Sequence, residues 1–172
     1  MAELDGRVVL VVGASGGLGS RLVAELAAAG ATVLSASRSS SASLDLRDPQ
    51  SIRDYVGALS ALDGVIVAAG VVAFGPAEQV SDTVLAELFE TNALGPITLI
   101  RELTPLLAES AAAGRTPFIV TLSGIVAESP TAGLAAYSAS KSALAAFVSA
   151  ASRELRRTGI RVLDARPGHT ET

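Results

Sequence analysis

Tyr137 and Lys141 stand four residues apart in a segment with helical spacing, which puts both side chains on one face of the helix. A free phenol titrates near 10, and an adjacent ammonium favours the phenolate and moves that value toward neutrality. A shift of two or three units needs roughly 3–4 kcal/mol of preferential stabilisation. The pair is suited to exchanging a proton with a substrate oxygen, although the same spacing alone is met more often in structural pairs. Asn92 carries a second chemical hint. Pro96, four residues later, has no N–H and cannot bond the Asn92 carbonyl as a regular helix requires, so the spacing predicts a kink with that carbonyl left free.

A third cluster lies near the N-terminus. The apolar run 8–12 leads directly into Gly13-Ala14-Ser15-Gly16-Gly17-Leu18-Gly19, after which a helical pattern begins. So tight a turn needs positive φ and close backbone approach, and the helix behind it presents unpaired N–H groups to an anion such as a pyrophosphate. Gly13 shapes the turn, Gly17 admits the phosphates and Gly19 allows close packing. The competing reading is a tight turn with no ligand.

These residues need a frame to hold them. Apolar runs rich in β-branched residues recur at 8–12, 31–36, 42–46, 64–69, 118–123 and 160–165. They are continuously apolar rather than alternating, as strands are when buried on both faces of a parallel sheet. Helical patterns separate most of them, which predicts a doubly wound α/β fold. Leu18, Leu22 and Leu26 mark the first helix, with Gly30 as its stop, and Pro49 opens a short helix over 50–59. The pattern over 81–113 is broken by Pro96 and Pro105 and predicts two kinks, and a last helix spans 134–157 with Gly159 as its cap. Only a serine-rich stretch separates the second and third runs, too short for a parallel crossover. Either a helix is missing there or the run 42–46 is a ribbon at the sheet edge.

The chain has 172 residues, 49% of them apolar and 17% charged, which predicts one compact domain over 1–172. A net charge of −4 without a basic cluster predicts no nucleic-acid or anionic-membrane partner. No apolar stretch is long enough for a membrane helix, and the start has no signal-peptide pattern. With no cysteine and one histidine, no metal site is expected and a reducing cytoplasm fits.

Taken together, Gly13, Gly17 and Gly19 in G-x-x-x-G-x-G spacing, Asp45-Leu46, Ala69-Gly70, Asn92, Tyr137 with Lys141, and Pro167-Gly168 followed by Thr172 resemble the short-chain dehydrogenase/reductase family over almost the whole chain. The resemblance implies a Rossmann-type sheet of strand order 3-2-1-4-5-6, here without the family's usual last strand and substrate lid. It implies that Asp45 and Leu46 contact adenine, that Gly13, Ser15, Gly17, Leu18, Gly19, Ala69 and Gly70 line the dinucleotide, and that Pro167, Gly168 and Thr172 approach the nicotinamide carboxamide. Tyr137 would give the proton to a carbonyl oxygen, Lys141 would also hold the nicotinamide ribose, and the Asn92 carbonyl would join a proton relay. NAD-selective sites carry an acidic residue at the end of the second strand; Ser37 and Arg38 stand there, and a guanidinium grips a 2′-phosphate, which points to NADP(H).

Two departures stand out. Val67-Ala68 replaces two asparagines of the family pattern, and Gly124 occupies the place of its substrate-binding serine; Ser123, one residue early, is the candidate catalytic serine if the strand end is irregular, whereas a regular strand would point it to the opposite face and leave a donor missing. Expected partners are a small carbonyl or alcohol substrate and further copies of the chain, as a homodimer or homotetramer paired through the two long helices. The alternative is a non-catalytic dinucleotide-binding sensor or a degraded family member.

Overall fold

The computed structural model describes residues 4–39 and 43–168. Five parallel strands, β1 (Val8–Val12), β2 (Thr32–Ala36), β3 (Gly64–Val67), β4 (Phe118–Leu122) and β5 (Arg161–Ala165), form one sheet in the order β2-β1-β3-β4-β5. Helices α1 (Gly17–Ala28), α2 (Pro49–Gly57), α3 (Asp82–Phe89), α4 (Gly95–Ala112) and α5 (Ala135–Leu155) connect them. β1 shows why its run is unbroken. Leu10 and Val12 pack into a core that takes Ile52 from α2, Leu99, Leu103 and Leu107 from α4, and Phe147 and Leu155 from α5. Val9 and Val11 face the other layer, against Leu22, Val23 and Leu26 of α1. Alternate side chains of a strand serve opposite faces, so both sets must be apolar.

The run 42–46 corrects the six-stranded expectation. Its described part makes a single parallel bridge, Ser37 to Ser43, with the Leu44 N–H on the Ser37 carbonyl at 3.1 Å. The connection is too short for a crossover helix, so the segment passes along the sheet edge and turns Leu44 and Leu46 into the core, 2% and 6% exposed. The remaining strands keep the expected order. The kink expected at Pro96 is a π turn over Glu90–Leu94 that separates α3 from α4, whereas Pro105 lies within α4. Gly159 closes α5 and its 3₁₀ extension in the left-handed region, φ 78°, as expected.

Asp63 pins the opposite end of the sheet. It is 3% exposed and accepts from the Val8 N–H at 2.9 Å, the Ser110 hydroxyl at 2.6 Å and the Arg115 guanidinium at 2.5 Å. Burial alone would raise its pKa; the hydrogen bonds from Ser110 and Val8 and the Arg115 charge outweigh it and hold the carboxyl below its ordinary value. A depressed carboxyl contributes stability at pH values above about 3.9, and the contribution fades as pH falls through the folded-state value. Asp63→Ala should therefore cost about 2–4 kcal/mol in urea unfolding at pH 7, with a smaller deficit below about pH 4. An equal deficit at both pH values would contradict the linkage.

Candidate active site

The C-terminal ends of parallel strands leave a crevice where successive connections diverge, and the sequence-predicted residues gather there. Gly13 has φ +85°, and a Cβ on it would lie 2.6 Å from the Ala69 backbone nitrogen. A Cβ on Gly19 would come within 2.1 Å of the Gly13 carbonyl oxygen. Both glycines are therefore required by close backbone approach. Helix α1 starts at Gly17 with no side-chain cap and no acidic residue in its first turn, so its N-terminal N–H groups and dipole favour an anion.

Two clefts open on either side of this turn. One, of about 570 Å³, runs past Gly13, Ser15, Ser37, Arg38, Ser39, Leu44, Asp45, Leu46, Arg47 and Thr91. The other, of about 440 Å³, runs from Gly17, Leu18 and Gly19 to Phe74, Leu122, Ser123, Gly124, Tyr137, Lys141, Pro167 and Gly168. Both are lined by Gly16 and residues 68–71, so the two clefts adjoin at the glycine turn and are together called the trough. Every expected cofactor-binding residue lines it except Thr172, which lies outside the described residues.

Asn92 sits behind the wall. It is fully buried, its side-chain oxygen accepts from the Val71 N–H at 2.9 Å, and its amide donates to the Val71 carbonyl at 2.9 Å and the Ser140 hydroxyl at 3.0 Å. Ser140 in turn donates to the Tyr137 carbonyl. The side chain thus ties the trough floor to α5, a role that the spacing to Pro96 did not reveal.

Lys141 is 6% exposed and donates to the Leu122 carbonyl at 2.8 Å, with its Nζ 5.9 Å from the centre of the Tyr137 ring. Burial pushes its pKa down to about 8, while the negative charge of Asp164 opposes the fall. For Tyr137 the balance differs from the sequence expectation. Burial pushes the phenol above its ordinary value near 10, because loss of water disfavours the phenolate. The phenol therefore keeps its proton at neutral pH, the form a proton donor needs.

The serine region is resolved by backbone shape. Gly124 has φ 77° and ψ 164°, a conformation essentially restricted to glycine, so a serine side chain at this position would be strained. Ser123 lines the trough but is fully buried, and its hydroxyl donates to Asp164 at 2.6 Å. Sequence reasoning missed Arg47, Thr91 and Asp164. A lone carboxylate within the last apolar run was the available signal for Asp164, and Arg47 stands two residues beyond Asp45. Among the described residues no group of three or more His, Cys, Asp or Glu side chains could hold a metal ion, and no helix is long and apolar enough to cross a membrane.

Residues 7–172 match the family described as short chain dehydrogenase. A short-chain dehydrogenase/reductase of Pestalotiopsis microspora is 30% identical over 99% of this chain and 71% of its own length. Two solved structures at 24% identity share the fold. A short chain dehydrogenase of Burkholderia cenocepacia in complex with NADP superposes with TM-score 0.90, over 99% of this chain and 75% of the other. A 3-ketoacyl-(acyl-carrier-protein) reductase of Brucella melitensis complexed with NADH gives 0.89, over 96% and 76%.

Asn92→Ala removes two hydrogen bonds from the Val71 backbone and one from Ser140. It should lower the unfolding free energy by about 2 kcal/mol and accelerate hydrogen exchange at the Val71 amide. Unchanged exchange at Val71 would show that the tie carries no weight.

Proposed function

Because the chain belongs to the short-chain dehydrogenase/reductase family, we propose that it is an NADP(H)-dependent oxidoreductase interconverting a carbonyl and an alcohol. The observation that carries this reading is a pair of adjoining clefts that share Gly16 and residues 68–71, with the Gly13 turn and Arg38 lining one and Tyr137 beside Lys141 lining the other. The cradle fits a dinucleotide: the turn has no room for a Cβ at Gly13 or Gly19, and the helix behind it is free of acidic residues in its first turn. When bound, the nicotinamide gives or accepts the hydride.

The chain's own residues have distinct tasks in this reading. Gly13, Ser15, Gly17, Leu18 and Gly19 take the pyrophosphate, and Asp45 and Leu46 flank the adenine. Arg38 is exposed at the mouth of the same cleft, and Ser37 leaves the second strand without the carboxylate that would repel a 2′-phosphate. Ala69, Gly70, Pro167 and Gly168 wall the nicotinamide half. Tyr137, protonated at neutral pH, donates to the carbonyl oxygen as an alkoxide develops and receives the proton back in the reverse direction. The Lys141 ammonium stabilises the phenolate left behind and holds the nicotinamide ribose. Self-association belongs to the same reading, through the long helical stretches 81–113 and 134–157, where Leu85 of α3 and Leu94 of the π turn are 42% and 57% exposed.

A second reading is favoured by one observation. Gly124 provides no hydroxyl and the Ser123 proton is given to Asp164, so a donor that such chemistry commonly uses is occupied. A dinucleotide-binding protein without turnover would carry these features equally well.

NADPH should bind at least about tenfold more tightly than NADH, and Arg38→Ala should weaken NADPH about 10–100-fold while leaving NADH little changed. Calorimetry measures both; equal affinities in the parent protein would remove the NADP(H) assignment. Tyr137→Phe should abolish NADPH-dependent reduction across a panel of aldehydes and ketones while retaining NADPH binding. Binding without turnover in the parent protein would select the second reading.

A further inference from the structure

The last strand carries a charge that the proposed chemistry does not use. Asp164 interrupts the apolar run of β5, and its side chain is only 9% exposed. Its two oxygens hold the end of the neighbouring strand: Oδ1 accepts from the Thr121 hydroxyl at 2.8 Å and the Ser123 N–H at 3.3 Å, and Oδ2 accepts from the Ser123 hydroxyl at 2.6 Å. Thr121 and Asp164 are register partners, so the clamp acts directly across the β4·β5 ladder. The residue between the two clamped positions is Leu122, and its carbonyl is the acceptor that anchors the Lys141 ammonium at 2.8 Å.

We propose that Asp164 is a positioning residue of the site: it fixes the end of β4, and with it the carbonyl on which Lys141 is anchored, and it is the counter-charge to that buried ammonium. The idea rests on the reading of Tyr137 and Lys141 as the acid/base pair. Its physical basis is the cost of burying an ammonium without an opposite charge. Burial pulls Lys141 down to about 8, and Asp164 supplies the opposing pull.

The groups around the ammonium can be named. Tyr137 faces it from its own helix, Asp164 acts on it from β5, and the Gly70 position lies against both the Asn92 side-chain oxygen and the Lys141 Nζ. Arg166 competes for Asp164 through Nε at 2.8 Å, and its other end is paired with Glu128. The same clamp accounts for the unusual serine region. Ser123 is turned toward Asp164 as part of the support for Lys141, and Gly124 then carries the chain away from the strand.

Lys141 is the only lysine in the sequence, so protein made with Cε-labelled lysine gives a single side-chain resonance whose titration needs no assignment. The full chain should titrate with a midpoint near 8. In Asp164→Asn the midpoint should fall by about one pH unit or more, the shift expected when a nearby opposite charge is lost. The alkaline limb of kcat/KM should move with it. An unchanged midpoint in folded Asp164→Asn overturns the proposal. If that variant does not fold, Arg166→Gln provides the second test, because Arg166 is partly exposed and shares Asp164 with the lysine. Removing the competitor should raise the Lys141 midpoint, and a midpoint that stays put overturns the proposal equally. The two readings fail separately. Turnover with an unresponsive lysine sinks the Asp164 role alone, whereas a responsive lysine without turnover sinks the oxidoreductase reading and leaves the electrostatic link standing.

Discussion

The structure depends on one close approach, where the end of β1 meets the end of β3 with no side chain between them. At Gly13 a Cβ would press on the Ala69 backbone, and at Gly19 it would press on the Gly13 carbonyl. Backbone contact at these two points places the first turn of α1 at the C-terminal ends of the inner strands β1 and β3 and brings residues 68–71 alongside it. The same four residues form the shared floor of both clefts. Asn92 completes the arrangement by holding Val71 from behind with both ends of its amide. A π turn at Glu90–Leu94 carries Asn92 in the chain just ahead of Pro96, so the break in the helix and the support of the floor occur together.

The chemistry at the other end of the trough is a contest between burial and charge. Burial disfavours both the phenolate of Tyr137 and the ammonium of Lys141, raising the first pKa and lowering the second. The site therefore sets a protonated phenol beside a lysine whose pKa is lowered to about 8. Among the described residues Asp164 works against the lysine's loss of charge, and it does so while holding the strand that carries the lysine's acceptor. Anchoring and electrostatics thus converge on one carboxylate. At Gly124 the backbone conformation disfavours a side chain, and the Ser123 hydroxyl beside it is given to the same carboxylate.

Much of this was legible in the sequence. The glycine spacing named the turn because only glycine satisfies both a positive φ and a backbone-to-backbone contact, and these are local demands that leave a mark in residue type. Unbroken apolar runs identified buried parallel strands, and i, i+4 spacing put Tyr137 and Lys141 on one face. Boundaries were harder. The run 42–46 has strand composition, yet too few residues precede it to cross the sheet, so it became an edge ribbon with a single bridge. Composition does not count the residues a crossover requires.

What the sequence determined by itself was therefore the fold class, the turn and the placing of Tyr137 and Lys141 on one helix face, because each follows from the conformational limits or the periodicity of nearby residues. What only the tertiary structure decided was the balance of forces on that pair. The Asp164 clamp joins residues 41 and 43 positions apart, and Asn92 reaches Ser140 across 48. The sign of the Tyr137 shift depends on how much water the whole trough excludes. Hydrogen bonds and burial of that range arise from packing between strands and helices, and no local pattern of residues encodes them.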